Sequence, residues 1–405
     1  MRKIWFQIHW AIGITAGIVL AVVGVTGACL SFQNEILRAL NPALITVAQR
    51  AEPPLPSAEL LSRIQAARPE KQVTSLTVYR ARDHAARVVF AAKPDVAGGP
   101  GSRRSEVQYA DPYTGELLGE SRGARFFRLV METHRWLAAG AVGKHVVGAS
   151  TIALVVMCLS GLYLRWPRRV FDWRAWLTFD RTRRGRRFLR DLHATVGTWV
   201  LIPYFAMGLT GLYWSYDWYR DALYALTGAP RSVSRAGASQ VTSTREGRER
   251  SGPPREEAPQ RASKKEKFDL AAVWFAFERA AGPYTSATLR VPNGPGQHVQ
   301  ITYLRADSAH DRAFDRVVLD ARSGAVLKHE RYADKAPGAK LMSSVFALHS
   351  GRFFGLAGSI VLMAASALMP LFAITGWMLY LGRHKKRAAP AAEAADARAD
   401  ATLPL

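Results

Sequence analysis

The sequence predicts an α-helical integral membrane protein in which two tandem repeats each place an α+β domain between two transmembrane helices. Three observations carry this prediction: long apolar stretches, basic residues on one side of them, and histidines that recur at two fixed spacings. A transmembrane helix needs about 20 predominantly apolar residues. The 405-residue chain contains four such stretches, at 4–32, 142–166, 196–218 and 356–381.

The basic residues predict the orientation of these helices. Ten arginines lie between Arg165 and Arg190, the run Arg-His-Lys-Lys-Arg follows at 383–387, and Arg2 and Lys3 precede the first stretch. Short basic loops mark the cytoplasmic side of a membrane, so we expect both termini to be cytoplasmic. Because this pattern explains the net charge of +23, we expect a lipid bilayer as partner and no nucleic acid.

The chain divides into eight predicted segments. The transmembrane segments are helix 1 (1–32), helix 2 with an interfacial start (134–166), helix 3 (193–218) and helix 4 with an interfacial start (349–382). The segments between and after them are two outer domains (33–133 and 219–348), a basic cytoplasmic loop (167–192) and a cytoplasmic tail (383–405). The second outer domain contains a segment, 231–267, whose polar composition predicts disorder.

Internal repetition is the most informative feature of the sequence. Each apolar stretch carries a serine or threonine followed by glycine, namely Thr26-Gly27, Ser160-Gly161, Thr210-Gly211 and Thr375-Gly376. His9 and His193 each precede their glycine by 18 residues, and His134 and His349 each precede theirs by 27. Two spacings that each occur twice indicate a duplication.

The outer segments repeat a second pattern. Asp111-x-x-x-Gly115 and Asp320-x-x-x-Gly324 each lie between two predicted strands. Further strands are predicted at 73–79, 87–91, 287–291 and 298–303, and helices at 57–67 and 268–280. We therefore expect two small α+β domains with antiparallel strands.

The histidines predict the cofactor. Since both repeats run in the same direction, their symmetry axis lies along the membrane normal, and His9 then meets His193 while His134 meets His349. Haem iron can be bound by two imidazoles, one on each face of the flat porphyrin ring. The sequence has no Cys-x-x-Cys-His, so we expect two non-covalent b-type haems. With both axial positions filled, electron transfer is the expected chemistry.

Other residues and metals are weaker candidates. Zinc or copper would use the same ligand type, and Glu132 lies two residues from His134, but two histidines alone make a weak zinc site. Arg135, Arg352 and Arg190 are candidates for pairing with haem propionates, or for interfacial positions that need no cofactor. His145 has no repeat-related partner, and a cofactor or proton role for it stays open.

With these residues in view, the chain resembles the PepSY-associated transmembrane family over nearly its whole length. The matching motifs are His9-Trp10, Thr133-His134-Arg135-Trp136, Gly161-Leu-Tyr-Leu-Arg-Trp-Pro-Arg, Asp191-Leu192-His193 and Leu348-His349-Ser350-Gly351-Arg352. The resemblance implies a bacterial inner-membrane ferric-siderophore reductase with PepSY-like periplasmic domains and two bis-histidine b-type haems. Our hypothesis adds a cytoplasmic or quinol electron donor at the His9/His193 end. The segment 231–267 and His145 depart from the family pattern.

Two other classes of function stay open. A haem-free membrane protein could use PepSY-like domains for binding or regulation, with structural histidines. A siderophore or metal permease is less expected, because the sequence shows no broken-helix pair and no acidic residue in the middle of a span.

Overall fold

The computed structural model describes residues 1–91, 105–167, 169–230, 269–292 and 298–382. The predicted disordered segment 231–267 and the predicted cytoplasmic tail 383–405 lie outside the described residues. The helices of the first repeat are α1 (Arg2–Ser31), α2 (Gln33–Leu40), α3 (Pro42–Ile45), α4 (Ser57–Ala67), α5 (Ala124–Trp136), α6 (Gly140–Arg165) and α7 (Trp173–Leu177). Those of the second repeat are α8 (Gly185–Trp199), α9 (Leu201–Ser215), α10 (Asp217–Thr227), α11 (Leu270–Ala281), α12 (Pro337–His349) and α13 (Gly355–Ala367).

Three helical segments are long and apolar enough to cross a membrane. They are α1, α6 and the segment Arg352–Gly382, which we call the last span and which contains α13. The bent pair α8 and α9 passes the same test when taken together and would make a fourth span. The chain is therefore an α-helical membrane protein that also carries a sheet domain.

The third apolar stretch, predicted as one transmembrane helix at 193–218, is not one straight helix. The axes of α8 and α9 differ by 61° across a break at Val200. Pro203 is the third residue of α9. Its ring has no N–H to bond the carbonyl of Trp199 and would clash with it in a continuous helix, so the break has a local cause.

The membrane helices form a closed bundle. Within the repeats α1 packs on α6 and α9 packs on α13; between the repeats α1 packs on α13 and α6 packs on α9. The buried centre is formed by apolar side chains from all four, namely Ala16, Leu20, Leu154, Cys158, Val200, Tyr204, Ala365 and Met369. Each of these helices therefore contributes to one shared apolar core.

The two outer units share one antiparallel sheet. Its strands are β1 (Val73–Tyr79), β2 (Ala86–Phe90), β3 (Glu106–Ala110), β4 (Leu117–Gly119), β5 (Tyr284–Arg290), β6 (His298–Arg305), β7 (Asp315–Asp320) and β8 (Val326–Glu330). Their order is β4-β3-β2-β1-β5-β6-β7-β8. The pairing of β1 with β5 sets Thr77 opposite Thr288, and their hydroxyl oxygens are 2.9 Å apart.

Each half of the sheet has its own helix and its own core. Leu60 and Ile64 of α4 pack against β1 to β3, and Val273 and Phe277 of α11 pack against β5 to β7. The two helices also contact each other, so both cover the same face of the sheet. The α+β content predicted for the two outer domains is present, but the domains join edge to edge.

Candidate histidine-pair sites

The structure brings the four repeat-related histidines together as two pairs. The imidazole centroids of His9 and His193 are 6.4 Å apart, and those of His134 and His349 are also 6.4 Å apart. His134 lies in the last turn of α5 and His349 ends α12, the helices that follow the two halves of the sheet. We call His134/His349 the sheet-end pair and His9/His193 the far-end pair.

The two pairs lie at opposite ends of the bundle. His9 is on α1, whereas Thr26, which hydrogen-bonds His134, is 17 residues later on the same unbroken helix. At 1.5 Å per residue this separation is about 25 Å along the helix axis. One pair therefore belongs to each end of the membrane-spanning bundle.

Each histidine has a hydroxyl partner on a neighbouring helix. The Nδ1 atom of His9 is 2.8 Å from Ser160 Oγ, and that of His193 is 2.7 Å from Thr375 Oγ1. For the sheet-end pair, His134 Nδ1 is 3.1 Å from Thr26 Oγ1 and His349 Nδ1 is 2.9 Å from Thr210 Oγ1.

These hydroxyls belong to the repeated serine/threonine-glycine motif. The sequence marked the motif as a sign of duplication but did not reveal that its four members contact the four histidines. The missing information was which helix packs against which, since each histidine bonds a motif on the other span of its own repeat.

The glycines of the same motif lie against the imidazole rings. A Cβ atom added at Gly27 would lie 3.1 Å from His134 Cε1, one at Gly161 would lie 3.3 Å from His9 Cε1, and one at Gly211 would lie 3.5 Å from His349 Cε1. Gly376 has nothing within 4 Å of such an atom. Three of the four glycines therefore allow a close approach of ring and helix.

A second group of glycines shapes the turns that follow the sheet-end pair. A Cβ at Gly143 would lie 1.6 Å from the carbonyl oxygen of Trp136, and one at Gly351 would lie 2.3 Å from that of Gly358. The helices break next to His134 and His349. These glycines allow backbone to approach backbone at the breaks, between α5 and α6 and at the start of the last span.

The spacing of each pair fits one metal ion bound by both rings. Two imidazole nitrogens at about 2 Å from a metal, each with its ring centre about 1 Å behind it, place the centroids about 6 Å apart. The observed 6.4 Å agrees with this value. Among the described residues there is no group of three or more His, Cys, Asp or Glu side chains able to hold a metal. The donor set of each site is therefore two imidazoles, which suits haem iron.

The predicted arginines and His145 lie outside the two pairs. Arg135 is exposed and its Cζ lies 4.5 Å from the centroid of the Trp136 ring. Arg190 bonds Asp191 at 3.2 Å, and His145 is exposed on α6.

Arg352 is held by protein groups. Its guanidinium donates to Asp311 Oδ2 at 2.9 Å, to both carboxylate oxygens of Glu35 at 3.1 Å and to the carbonyl of Ser31 at 3.3 Å. These bonds connect the second repeat with the end of α1, beside the sheet-end pair.

Aromatic rings that the sequence did not single out pack against the histidines. The ring of Trp214 lies 5.4 Å from that of His349, and the ring of Phe372 lies 5.2 Å from that of His193. Both come from spans that also carry a hydroxyl partner, α9 and the last span. Apolar rings at these positions shield the imidazoles from water.

A family model described as PepSY-associated TM region matches residues 6–383 of the chain. No curated protein matches the chain significantly.

Proposed function

The chain belongs to the PepSY-associated transmembrane family, and from that premise we propose that it is a b-type cytochrome that reduces ferric siderophores at the outer face of the bacterial inner membrane. One observation carries this proposal. Two histidine pairs, one at each end of the bundle, have centroids 6.4 Å apart, the spacing that one iron between two imidazoles requires.

Haem b bound at each pair would supply reversible one-electron chemistry. His9 with His193, and His134 with His349, would hold and orient it as ligands, and two imidazole ligands per haem would favour electron transfer over oxygen chemistry. The hydroxyl partners fix the rings, while Phe372 and Trp214 exclude water from the imidazoles.

The orientation predicted by the basic residues gives the two ends different tasks. The far-end pair adjoins the arginine-rich segment around α7 and α8, which the positive-inside rule assigns to the cytoplasm. The sheet-end pair then lies near the periplasm, beneath the sheet domain. Electrons from a cytoplasmic or quinol donor would enter at the first and leave at the second.

The chemistry of the substrate explains why such electron transfer releases iron. Siderophores bind ferric iron through hard oxygen ligands, and these bind the less charged ferrous ion more weakly. Each ferric ion takes up one electron, and a quinol that loses two electrons and two protons serves two ferric ions. Ferrous iron then leaves the chelate.

The test is an optical and an iron-release measurement on the full chain in lipid nanodiscs, expressed with haem available. We expect a low-spin haem spectrum. After reduction with dithionite, addition of a ferric hydroxamate siderophore should reoxidise the haem and yield ferrous iron trapped by a coloured chelator. His134→Ala and His349→Ala should lower that rate about tenfold or more, since they remove a ligand outright.

His145→Ala is the matched control, because His145 is exposed and lies outside both pairs. It should keep the haem and the rate. Protein without a low-spin haem spectrum, or full haem in both sheet-end variants, would overturn the proposal.

A haem-free binding role has one observation in its favour. Strand β8 is an edge of the sheet, and its side chains Val326 and Leu327 are 44% and 51% exposed. An exposed apolar edge strand can pair with an extended peptide. Wild-type protein that lacks haem yet binds an unfolded peptide would favour this role.

The bend between α8 and α9 does not favour a permease. Transporters of the repeat type break corresponding helices in both halves. Here α1, the counterpart of the bent pair, runs unbroken from Arg2 to Ser31.

A further inference from the structure

We infer that the four motif hydroxyls are positioning residues that set the tautomer of the paired histidines, and that only the far-end pair depends on them fully. The inference concerns Ser160 and Thr375 at the far end and Thr26 and Thr210 at the sheet end. It rests on the proposed haem function and identifies which residues orient the ligands. The second hydrogen-bond partner of each hydroxyl shows which atom donates, and a second acceptor near a ring decides whether that ring depends on its hydroxyl.

The hydrogen of each hydroxyl is already used within its own helix. Thr375 Oγ1 donates to the carbonyl of Leu371 at 2.7 Å, and Ser160 Oγ donates to that of Met157 at 3.2 Å. At the sheet end, Thr26 donates to Val22 at 2.7 Å and Thr210 donates to Ala206 at 2.6 Å. A hydroxyl has one hydrogen, so toward the histidine each oxygen acts as an acceptor.

The imidazole must then be the donor. With Nδ1–H donating to the hydroxyl, the neutral ring carries its lone pair on Nε2. A metal binds a lone pair, and a hydrogen bond from the other ring nitrogen fixes the orientation and basicity of the ligand. The hydroxyls therefore prepare all four histidines to bind iron through Nε2.

Among the described residues, the motif hydroxyl is the one group that accepts a hydrogen bond from Nδ1 of each far-end histidine. His9 reaches Ser160 at 2.8 Å and His193 reaches Thr375 at 2.7 Å. Removing either hydroxyl leaves the ring N–H without an acceptor in an apolar bundle, which allows the ring to rotate or change tautomer.

The sheet-end histidines have a second acceptor. His134 Nδ1 is 3.0 Å from the carbonyl of Val23, slightly closer than the 3.1 Å to Thr26 Oγ1. In the second repeat the backbone of Met207 is the corresponding neighbour of His349 and acts on that ring as a hydrogen-bond acceptor does. Val23 and Met207 each lie three residues before the hydroxyl residue, so the duplication repeats this arrangement. Because a side-chain substitution leaves a backbone carbonyl in place, the sheet-end rings keep their orientation when the hydroxyl is removed.

The experiment removes each hydroxyl with a side chain of similar size. Ser160→Ala and Thr375→Val should release the far-end haem 10- to 100-fold faster, the usual effect of losing such a partner, as measured by transfer to excess apomyoglobin. Ser160→Thr and Thr375→Ser, which keep a hydroxyl, should restore slow release. Thr26→Val and Thr210→Val should release haem at the wild-type rate.

Thr15→Val is the matched structural control. Thr15 lies on α1 and donates to the carbonyl of Ala11 at 2.9 Å, as the motif threonines do within their own helices. If Ser160→Ala and Thr375→Val release haem at the rate of Thr15→Val, or if the sheet-end variants release it equally fast, the inference is wrong.

A second readout separates this inference from the proposed function. In haem-free protein labelled with ¹⁵N-histidine, NMR should show Nδ1–H tautomers for the paired rings, and Thr375→Val should change the tautomer of His193 alone. If wild-type protein binds no haem but shows these tautomers, the proposed cytochrome function is contradicted and the positioning role of the hydroxyls is supported. A haem-loaded wild type whose haem-free form shows Nε2–H tautomers would contradict the positioning role alone.

Discussion

Whether a motif glycine tolerates an added methyl group depends on how close the neighbouring imidazole lies. The space next to each imidazole differs: an added Cβ would lie 3.1 Å from His134 at Gly27, 3.3 Å from His9 at Gly161 and 3.5 Å from His349 at Gly211. At Gly376 it would meet nothing within 4 Å. Contacts below about 3.4 Å force the ring or helix to move.

We predict that alanine substitutions damage haem binding in the order of these distances. Gly27→Ala should lose its haem fastest, about tenfold faster than wild type, followed by Gly161→Ala, while Gly211→Ala and Gly376→Ala should behave as wild type. The rate of haem transfer to apomyoglobin is the measurement. Gly376→Ala losing haem faster than Gly27→Ala would show that the space beside the ring does not matter.

The sequence predicted which histidines pair with each other but not which hydroxyls form hydrogen bonds with them. The equal spacings from His9 and His193, and from His134 and His349, identified which rings correspond. They did not identify the hydroxyls, because a motif such as Thr26-Gly27 contacts His134, a residue more than a hundred positions away. That contact depends on how helices pack, which spacing within one helix does not report.

Among the structural elements, the loop between β6 and β7 connects the sheet to the membrane helices. His310 in this loop accepts a hydrogen bond at Nδ1 from the N–H of Arg312 at 3.2 Å, and its Nε2 lies 3.2 Å from Tyr332 and 3.3 Å from Ser344 of α12. Burial lowers the pKa of His310 below its ordinary value, although Asp311 acts in the opposite direction.

Acid should weaken this junction. A histidine whose folded pKa is lowered binds a proton more readily when it is unfolded, so its stabilising contribution is complete above about pH 6.5 and falls as the pH drops below that value. Protonation also places a hydrogen on Nδ1 against the N–H of Arg312. His310→Gln should reduce the difference in melting temperature between pH 7.5 and pH 5.

His298→Gln is the control, because His298 is an exposed histidine on β6. It should keep the wild-type pH dependence. If His310→Gln shows the same fall in melting temperature as wild type, the acid sensitivity lies elsewhere.

The positions of helices and strands along the chain were easier to predict than the contacts between them. The predicted helix at 57–67 and strand at 73–79 coincide with α4 and β1, since period and turn residues are local signals. The break at Val200 was missed although Pro203 is visible in the sequence, because an apolar run of span length was read as continuous. The pairing of β1 with β5 was missed because it joins segments about two hundred residues apart.

At the scale of the whole molecule, one sheet joins the two halves of the chain outside the helical bundle. The central strand pair sets Thr77 opposite Thr288 with hydroxyls 2.9 Å apart. This pair joins the two repeats through the sheet, while the histidine pairs join them within the bundle. The duplication therefore creates sites that neither repeat contains alone.

The shared sheet predicts a specific cross-link. In the double variant Thr77→Cys/Thr288→Cys, directly opposed side chains on antiparallel strands are close enough for a disulfide. Mass spectrometry of the unreduced protein should detect a peptide pair joined through positions 77 and 288. Single variants are the control, and an unlinked double variant under oxidising conditions would contradict the single sheet.

The central claim is that each histidine pair binds one haem between the repeats. The most direct test is the number of haems per chain in wild type and in His9→Ala, His193→Ala, His134→Ala and His349→Ala. The account predicts two low-spin haems in wild type and one in each variant, with loss of either member of a pair having the same effect. Haem-free wild type, or variants that all keep two haems, would contradict it.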